Sequence, residues 1–230
     1  MKTAIVTVGD ELLTGDTENT NATWLCSTLD DRGVNVERVT TVPDRVADIA
    51  RVVNEYHAEY DAVIVTGGLG PTHDDVTMEG VAAAFGRAVE PHEEVLAWLE
   101  AEGGYAAADL AAGTADLPTD ARALHNPEGV APGAVVESCY VLPGVPAEMK
   151  AMFATVAEAF EGERTYVERV ETGEPESALL DRLAAVQEQF AVSVGSYPGE
   201  TVTLKLTAAD PEAAKRAAAW LREHVETIEE

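Results

Sequence analysis

Three short β-rich apolar runs, at residues 2–8, 62–66 and 139–142, each lead into a glycine-bearing loop, and helical stripes lie between them. The stripes are set by spacing: Ala22, Leu25, Cys26 and Leu29 mark a helix over residues 20–31. Val46, Ile49, Ala50 and Val53 mark another, following Pro43 with Asp44 as its cap. Residues 34–42 alternate weakly, as a second strand does. A helix is expected to start near Asp75, with Asp74 or Asp75 as its N-cap, and to run towards Phe85. The next is expected to begin at Pro91 and to carry Val95, Leu96 and Leu99. Residues 134–136 and 139–142 read as a hairpin, and Pro146 suits the first turn of a helix ending near Gly162. Strand and helix alternating in this way predict an α/β fold, an open and mostly parallel sheet with helices on both faces. Residues 103–120, mostly Ala, Gly and Asp, predict no element.

From Arg164 the pattern restarts as β-α-β-β-α, with strands expected at residues 165–172, 193–197 and 201–207 and a last helix capped by Asp210-Pro211. The chain therefore divides into a main α/β domain, 1–163, and a small α+β domain, 164–230.

The expected partners follow from the charge. With 15 Lys and Arg against 42 Asp and Glu, the 230-residue chain has a formal net charge of −27. Nucleic acids and anionic membranes require a basic face, so neither is expected as a partner. The acids are spread through every segment, which describes a charged globular surface and not a disordered tail. In ordinary salt that self-repulsion disfavours a compact state, whereas at about 1 M salt the Debye length falls to about 3 Å and screens it. A salt-rich, halophilic cytoplasm is the expected setting. The start, MKTAIVTVGDELL, has too short an apolar run for a signal peptide, and no stretch reaches the roughly 18 residues of a membrane span. Cys26 and Cys139 form no CxxC pair, so no thiolate zinc site is expected.

In open α/β sheets, ligands bind beyond the carboxyl ends of the strands. Three loops fall there: Gly9-Asp10-Glu11-Leu12-Leu13-Thr14-Gly15, Thr66-Gly67-Gly68-Leu69-Gly70-Pro71-Thr72-His73-Asp74-Asp75, and Leu142-Pro143-Gly144-Val145-Pro146. Glycines let backbone amides approach an anion closely, although these loops match neither a Walker A nor a Gly-x-Gly-x-x-Gly pattern. Asp74 and Asp75 beside such a cradle repel a phosphate unless a hard cation lies between, which makes Mg²⁺ or Mn²⁺ a natural bridge. Asp10 and Glu11 extend the acidic side. By spacing alone, helix capping and surface charge account for these acids more readily than metal binding does.

The run from GDELLTGDTENTNATWL through VPD and TGGLGPTHDDVT to LPGVPAEMKAMF closely resembles the N-terminal domain of the CinA family, within the molybdopterin-binding (MoaB/Mog-like) superfamily. The resemblance covers residues 1–161, and the remainder, with Gly195-Ser196-Tyr197-Pro198-Gly199, looks like the KH-like appendage of CinA proteins. It implies a MoaB/Mog-like three-layer sandwich. The deamidase domain that follows in many bacterial relatives is expected to be absent, which leaves a separate deamidase protein as a possible partner. In Mog-like enzymes the glycine loop binds the phosphate end of a pterin, and two aspartates matching Asp44 and Asp75 are functional. CinA-type domains are associated with divalent-metal-dependent (Mg²⁺, Mn²⁺ or Co²⁺) cleavage of ADP-ribose and related dinucleotides such as FAD. Asp74, where Mog-like proteins carry a basic residue, places the chain on the CinA side. It departs from its relatives in lacking a basic run before Leu117-Pro118 and in carrying Val130 where Thr is common.

The resemblance thus implies a pyrophosphatase with Asp44 and Asp75 catalytic, orienting the attacking water or taking its proton. Asp10, Glu11, Asp74 and Asp75 supply metal ligands. Gly9, Gly15, Asn21, Gly67, Gly68, Gly70, Pro71, Thr72, Pro143, Gly144 and Pro146 would bind a nucleotide. The alternatives are a molybdopterin-binding protein of cofactor assembly, with a pterin phosphate as ligand, and a non-catalytic nucleotide-binding subunit. The appendage has three residues between its glycines and no basic flank, which favours packing or homo-oligomerisation over RNA binding. Glu148 has two readings, a base or a residue that favours the first turn of its helix, and the second is preferred; His73, a candidate phosphate contact or proton carrier, reads rather as an exposed loop position.

Overall fold

The computed structural model describes residues 1–101, 110–163 and 165–226. The main unit runs β1 (Lys2–Val8), α1 (Asp10–Thr14), α2 (Thr20–Asp31), β2 (Asn35–Val42), α3 (Val46–Glu59), β3 (Ala62–Gly67), α4 (Thr77–Ala84) and β4 (Val89–Pro91). It continues with α5 (Glu93–Ala101), β5 (Asp116–Pro118), β6 (Arg122–Leu124), β7 (Gly133–Val136), β8 (Cys139–Pro143) and α6 (Pro146–Val156). One sheet has the order β2-β1-β3-β8-β7-β6. β2, β1, β3 and β8 are mutually parallel, and β7 runs antiparallel to both of its neighbours.

The two-residue period of a strand sends alternate side chains to opposite faces, which sorts the apolar residues into two cores. Ala4, Val6 and Val8 of β1 pack with Ile49, Val53, Val81 and Leu99 from α3, α4 and α5. Ile5 packs on the other face with Leu25, Leu29, Met149 and Phe153 from α2 and α6. Every residue of β3 is buried, as a central parallel strand covered on both sides requires. Gly80 lets α4 approach α3, since a Cβ there would stand 2.5 Å from Ile49 Cγ2.

The structure corrects the sequence expectations at several ends. The first glycine loop contains the one-turn helix α1, closed by Gly15 in a left-handed conformation (φ 80°). Asp44 does not cap α3, which starts after Arg45 without a side-chain cap. Its carboxylate instead accepts from the Asp10 N–H at 2.8 Å, at the start of α1. Neither Asp74 nor Asp75 caps α4, whose N-cap position is Val76. Pro91 ends a strand and does not open a helix: β4 pairs with β5 in a small two-stranded ladder, where proline's missing N–H is tolerated. The expected hairpin is β7–β8. Residues 103–109, part of the stretch that predicted no element, and Arg164, where the pattern restarts, lie outside the described residues.

Chain contacts divide the molecule at Gly162 and Glu163. The second unit comprises β9 (Tyr166–Thr172), α7 (Glu176–Phe190), β10 (Ser193–Pro198), β11 (Val202–Ala208) and α8 (Pro211–His224), with an antiparallel sheet ordered β10-β11-β9. Leu204 and Leu206 of β11 pack against Leu179, Val186, Ala214 and Leu221 of the two helices. Asp210 caps α8 by accepting from the Glu212 N–H at 3.1 Å. Arg182 grips Glu174 with its two terminal guanidinium nitrogens, Nη1 and Nη2, and the Glu226 N–H donates to the same carboxylate. These contacts hold the Glu174 carboxyl at about 2, well below its ordinary 4.5.

Candidate functional site

Because β1, β3 and β8 are adjacent and parallel, their three loops emerge side by side on one sheet edge. Gly67 and Gly144 are in contact: a Cβ at Gly144 would lie 3.4 Å from the Gly67 carbonyl carbon. The loops enclose a cleft of about 680 Å³. Gly9 and Glu11 line it beyond β1, and Asp44 beyond β2. Gly67, Gly68, Gly70, Pro71, Asp74 and Asp75 follow β3, and Pro143, Gly144 and Glu148 follow β8. Leu69, Leu110, Val130 and Val145 form an apolar part of the wall. Among the described lining residues there is no Lys, Arg or His.

Three of the carboxylates in the cleft are half-buried, and each is anchored through one oxygen. Asp44 Oδ2 takes the Asp10 N–H. Asp75 Oδ2 takes the Thr72 hydroxyl. Glu148 Oε2 takes the Asn126 side-chain amide at 2.8 Å. Asp75 lies in the glycine cradle itself: a Cβ on Gly68 would collide with Oδ1, and one on Gly70 would stand 2.8 Å from Oδ2. Glycine is required there for close approach and not for an unusual backbone angle. Asp74 is exposed, and the Thr72 hydroxyl beside it draws its carboxyl below the ordinary value.

The remaining sequence-predicted residues take supporting places. Asp10 contributes its backbone N–H to Asp44, and its side chain does not line the cleft. Gly15 ends α1, and Thr72 acts through Asp75. Asn21 donates from Nδ2 to the Gly144 carbonyl at 2.7 Å, tying α2 to the third loop. With Pro146 it lines an adjoining pocket of about 90 Å³ that Glu11 and Gly144 share with the main cleft.

Sequence reasoning weighed Glu148 as a base, preferred a role in the first turn of its helix, and passed over Asn126. Glu148 is the third residue of α6, so its side chain rises at the strand edge. Asn126 is 1 % exposed, donates also to the Ala131 carbonyl, and accepts from the Glu128 N–H. The Asn126-Pro127 dipeptide was the available signal, a turn in which a buried amide must find partners. His73 is exposed, 3.8 Å from Asp74, and His125 stacks on Trp98 with Glu94 beside it. Cys139 is a core residue whose thiol burial pushes up to about 12.

Among the described residues, no group of three or more His, Cys, Asp or Glu could hold a metal unaided. Mg²⁺ is ordinarily bound through one or two carboxylates plus phosphate oxygens of the substrate and water. Asp75 with Asp74 or Glu11, facing the same cleft, fits that mode.

The family described as "Probable molybdopterin binding domain" matches residues 4–162. The chain belongs to this family. The matched segment ends where chain contacts end the first unit. A crystal structure of the protein CinA, of unknown function, from Thermoplasma acidophilum is 35% identical with a TM-score of 0.64, covering 69% of this chain and 97% of that one. A relative from Archaeoglobus fulgidus is 38% identical over 221 residues, covering 94% of this chain and 95% of its own length. A CinA-like protein from Citrifermentans bemidjiense is 36% identical over 241 residues, and the match spans 98% of this chain and 58% of that protein. The chain is thus a CinA-like member of the molybdopterin-binding-domain family. Among the described residues, no helix is long and apolar enough to cross a membrane.

Proposed function

We propose that this protein is a divalent-metal-dependent pyrophosphatase that cleaves ADP-ribose or a related dinucleotide such as FAD. The observation that carries the reading is the lining of the cleft: a glycine cradle for an anion, set among Glu11, Asp44, Asp74, Asp75 and Glu148, with no cationic side chain among the described lining residues. A pyrophosphate enters such a cleft only with cations to offset the carboxylates. The apolar wall of Leu69, Leu110, Val130 and Val145 suits a nucleobase. Thr77, fully buried beside Gly67, keeps a hydroxyl without a partner at the base of the cradle.

Asp75, with Asp74 or Glu11, would hold the metal, which when bound would supply charge neutralisation for the pyrophosphate and a more acidic water. Asp44, fixed by the Asp10 N–H, orients the water, and amides of the Gly67–Gly70 segment donate to phosphoryl oxygens as charge develops. The test is AMP release from ADP-ribose, FAD and NAD in molar KCl with Mg²⁺, Mn²⁺ or Co²⁺ in turn, beside Asp75→Asn. Metal-dependent AMP release that Asp75→Asn abolishes is the expected result. A folded protein that releases none overturns the reading, and binding of a pterin phosphate in place of ADP-ribose then becomes the reading to pursue.

A further inference from the structure

The structure points, we infer, to Glu148 as the general base of the cleft and to Asn126 as the residue that positions it; this rests on the hydrolase reading above. The inference starts from how Glu148 is held. Its Oε2 accepts from Asn126 Nδ2 at 2.8 Å, while the other Nδ2 proton of Asn126 goes to the Ala131 carbonyl at 3.1 Å and Oδ1 accepts from the Glu128 N–H at 3.2 Å. All hydrogen-bonding groups of that amide are engaged within the protein, so its work is to fix the loop and the carboxylate. Gly129 closes the third side, since a Cβ there would lie 2.6 Å from Glu148 Oε2. One oxygen is thereby immobilised by a residue only 1 % exposed, and the carboxylate faces the cleft with Oε1 outside that clamp.

That is what a proton acceptor requires: a carboxyl oxygen fixed in direction by a neutral donor that does not compete for the substrate. The other half-buried carboxylates have different duties. Asp75 rests against Gly68 and Gly70 in the cradle, and Asp44, held by the Asp10 N–H, is the residue assigned to orienting the water. In the step assigned to Glu148, a water oxygen forms a bond to the phosphorus that carries the adenosine. The bond from that phosphorus to the bridging oxygen breaks, and the water proton passes to Glu148 Oε1. AMP and ribose 5-phosphate leave, and the proton is returned to solvent.

The experiment measures kcat and KM for ADP-ribose with Glu148→Gln, Glu148→Ala and Asn126→Ala, each checked for folding by its thermal transition. Glu148→Gln retains a side-chain oxygen for Asn126 to meet. It is expected to lower kcat by about 10²-fold or more with KM within about threefold. Glu148→Ala is expected to regain turnover when formate is supplied as a diffusible base, a response that a structural role would not produce. Asn126→Ala is expected to lower kcat by about tenfold through misdirection of Glu148; if it fails to fold, the Glu148 variants decide alone. Wild-type turnover matched within about threefold by Glu148→Gln overturns the assignment and leaves the hydrolase reading standing. So does a loss confined to KM, or a Glu148→Ala variant indifferent to formate. Absence of turnover in the folded wild type overturns both.

Discussion

At Gly68 a hydrogen stands where any other residue would place a methyl group, and that space is taken by the Asp75 carboxylate. Gly68→Ala is therefore expected to push Asp75 out of the cradle and to lower metal-dependent turnover by about 10²-fold, as small displacements in a catalytic site do. Stability should fall by about 1–3 kcal/mol, the usual cost of overpacking. Paired kinetics and thermal melts check this, and a Gly68→Ala enzyme with wild-type kcat would show that Asp75 does not work from the cradle. That Gly68 and Asp75 stand in one loop at a strand end was legible in the sequence, where glycines and paired acids follow β3. Their mutual contact was not, because seven residues separate them and only the folded loop brings one against the other. A base role for Glu148 was ranked second for a related reason: an acid in the first turn of a helix is well explained by the helix, and its partner Asn126 lies 22 residues away.

Among the elements, sequence periodicity located β1, β3, β8 and the helices between them, because burial on both faces imposes a pattern that each segment carries by itself. It failed at β4, β5 and β6, which have three residues each, and at α1, a single helical turn, none of which is long enough to show its period. In the second unit, the turn between β9 and α7 is joined to the end of α8 through Glu174, Arg182 and the Glu226 N–H. With its carboxyl at about 2 in the folded chain against an ordinary 4.5, Glu174 contributes stability that is fully present above about pH 4.5. That contribution is lost as the pH falls towards 2. Glu174→Gln should therefore be less stable than wild type near neutral pH, with the difference shrinking across that acid range. Chemical denaturation of both proteins at several pH values measures it, and a difference independent of pH would assign the role of Glu174 to hydrogen bonding alone.

For the whole molecule the dominant quantity is the net charge of −27. We expect the thermal midpoint to rise continuously as KCl is increased from about 0.1 M to above 1 M, where the Debye length is about 3 Å and most charge pairs are screened. A midpoint independent of KCl would reject the halophilic assignment and leave the acidic surface to serve a basic partner. Charge, the alternation of strand and helix, and the two-unit organisation were all determined by the sequence itself. They are additive or periodic properties that each segment contributes independently of where the others lie. The tertiary structure alone decided which residues share the cleft. Asp44 reaches the first amide of α1, Asp75 enters the glycine cradle, and Glu148 meets the buried Asn126. The first contact depends on β1 and β2 becoming parallel neighbours, the second on the fold of a single loop, and the third on bringing together residues 22 apart in the chain. Hydrogen bonding acts only over a few ångströms, which the folded chain alone provides.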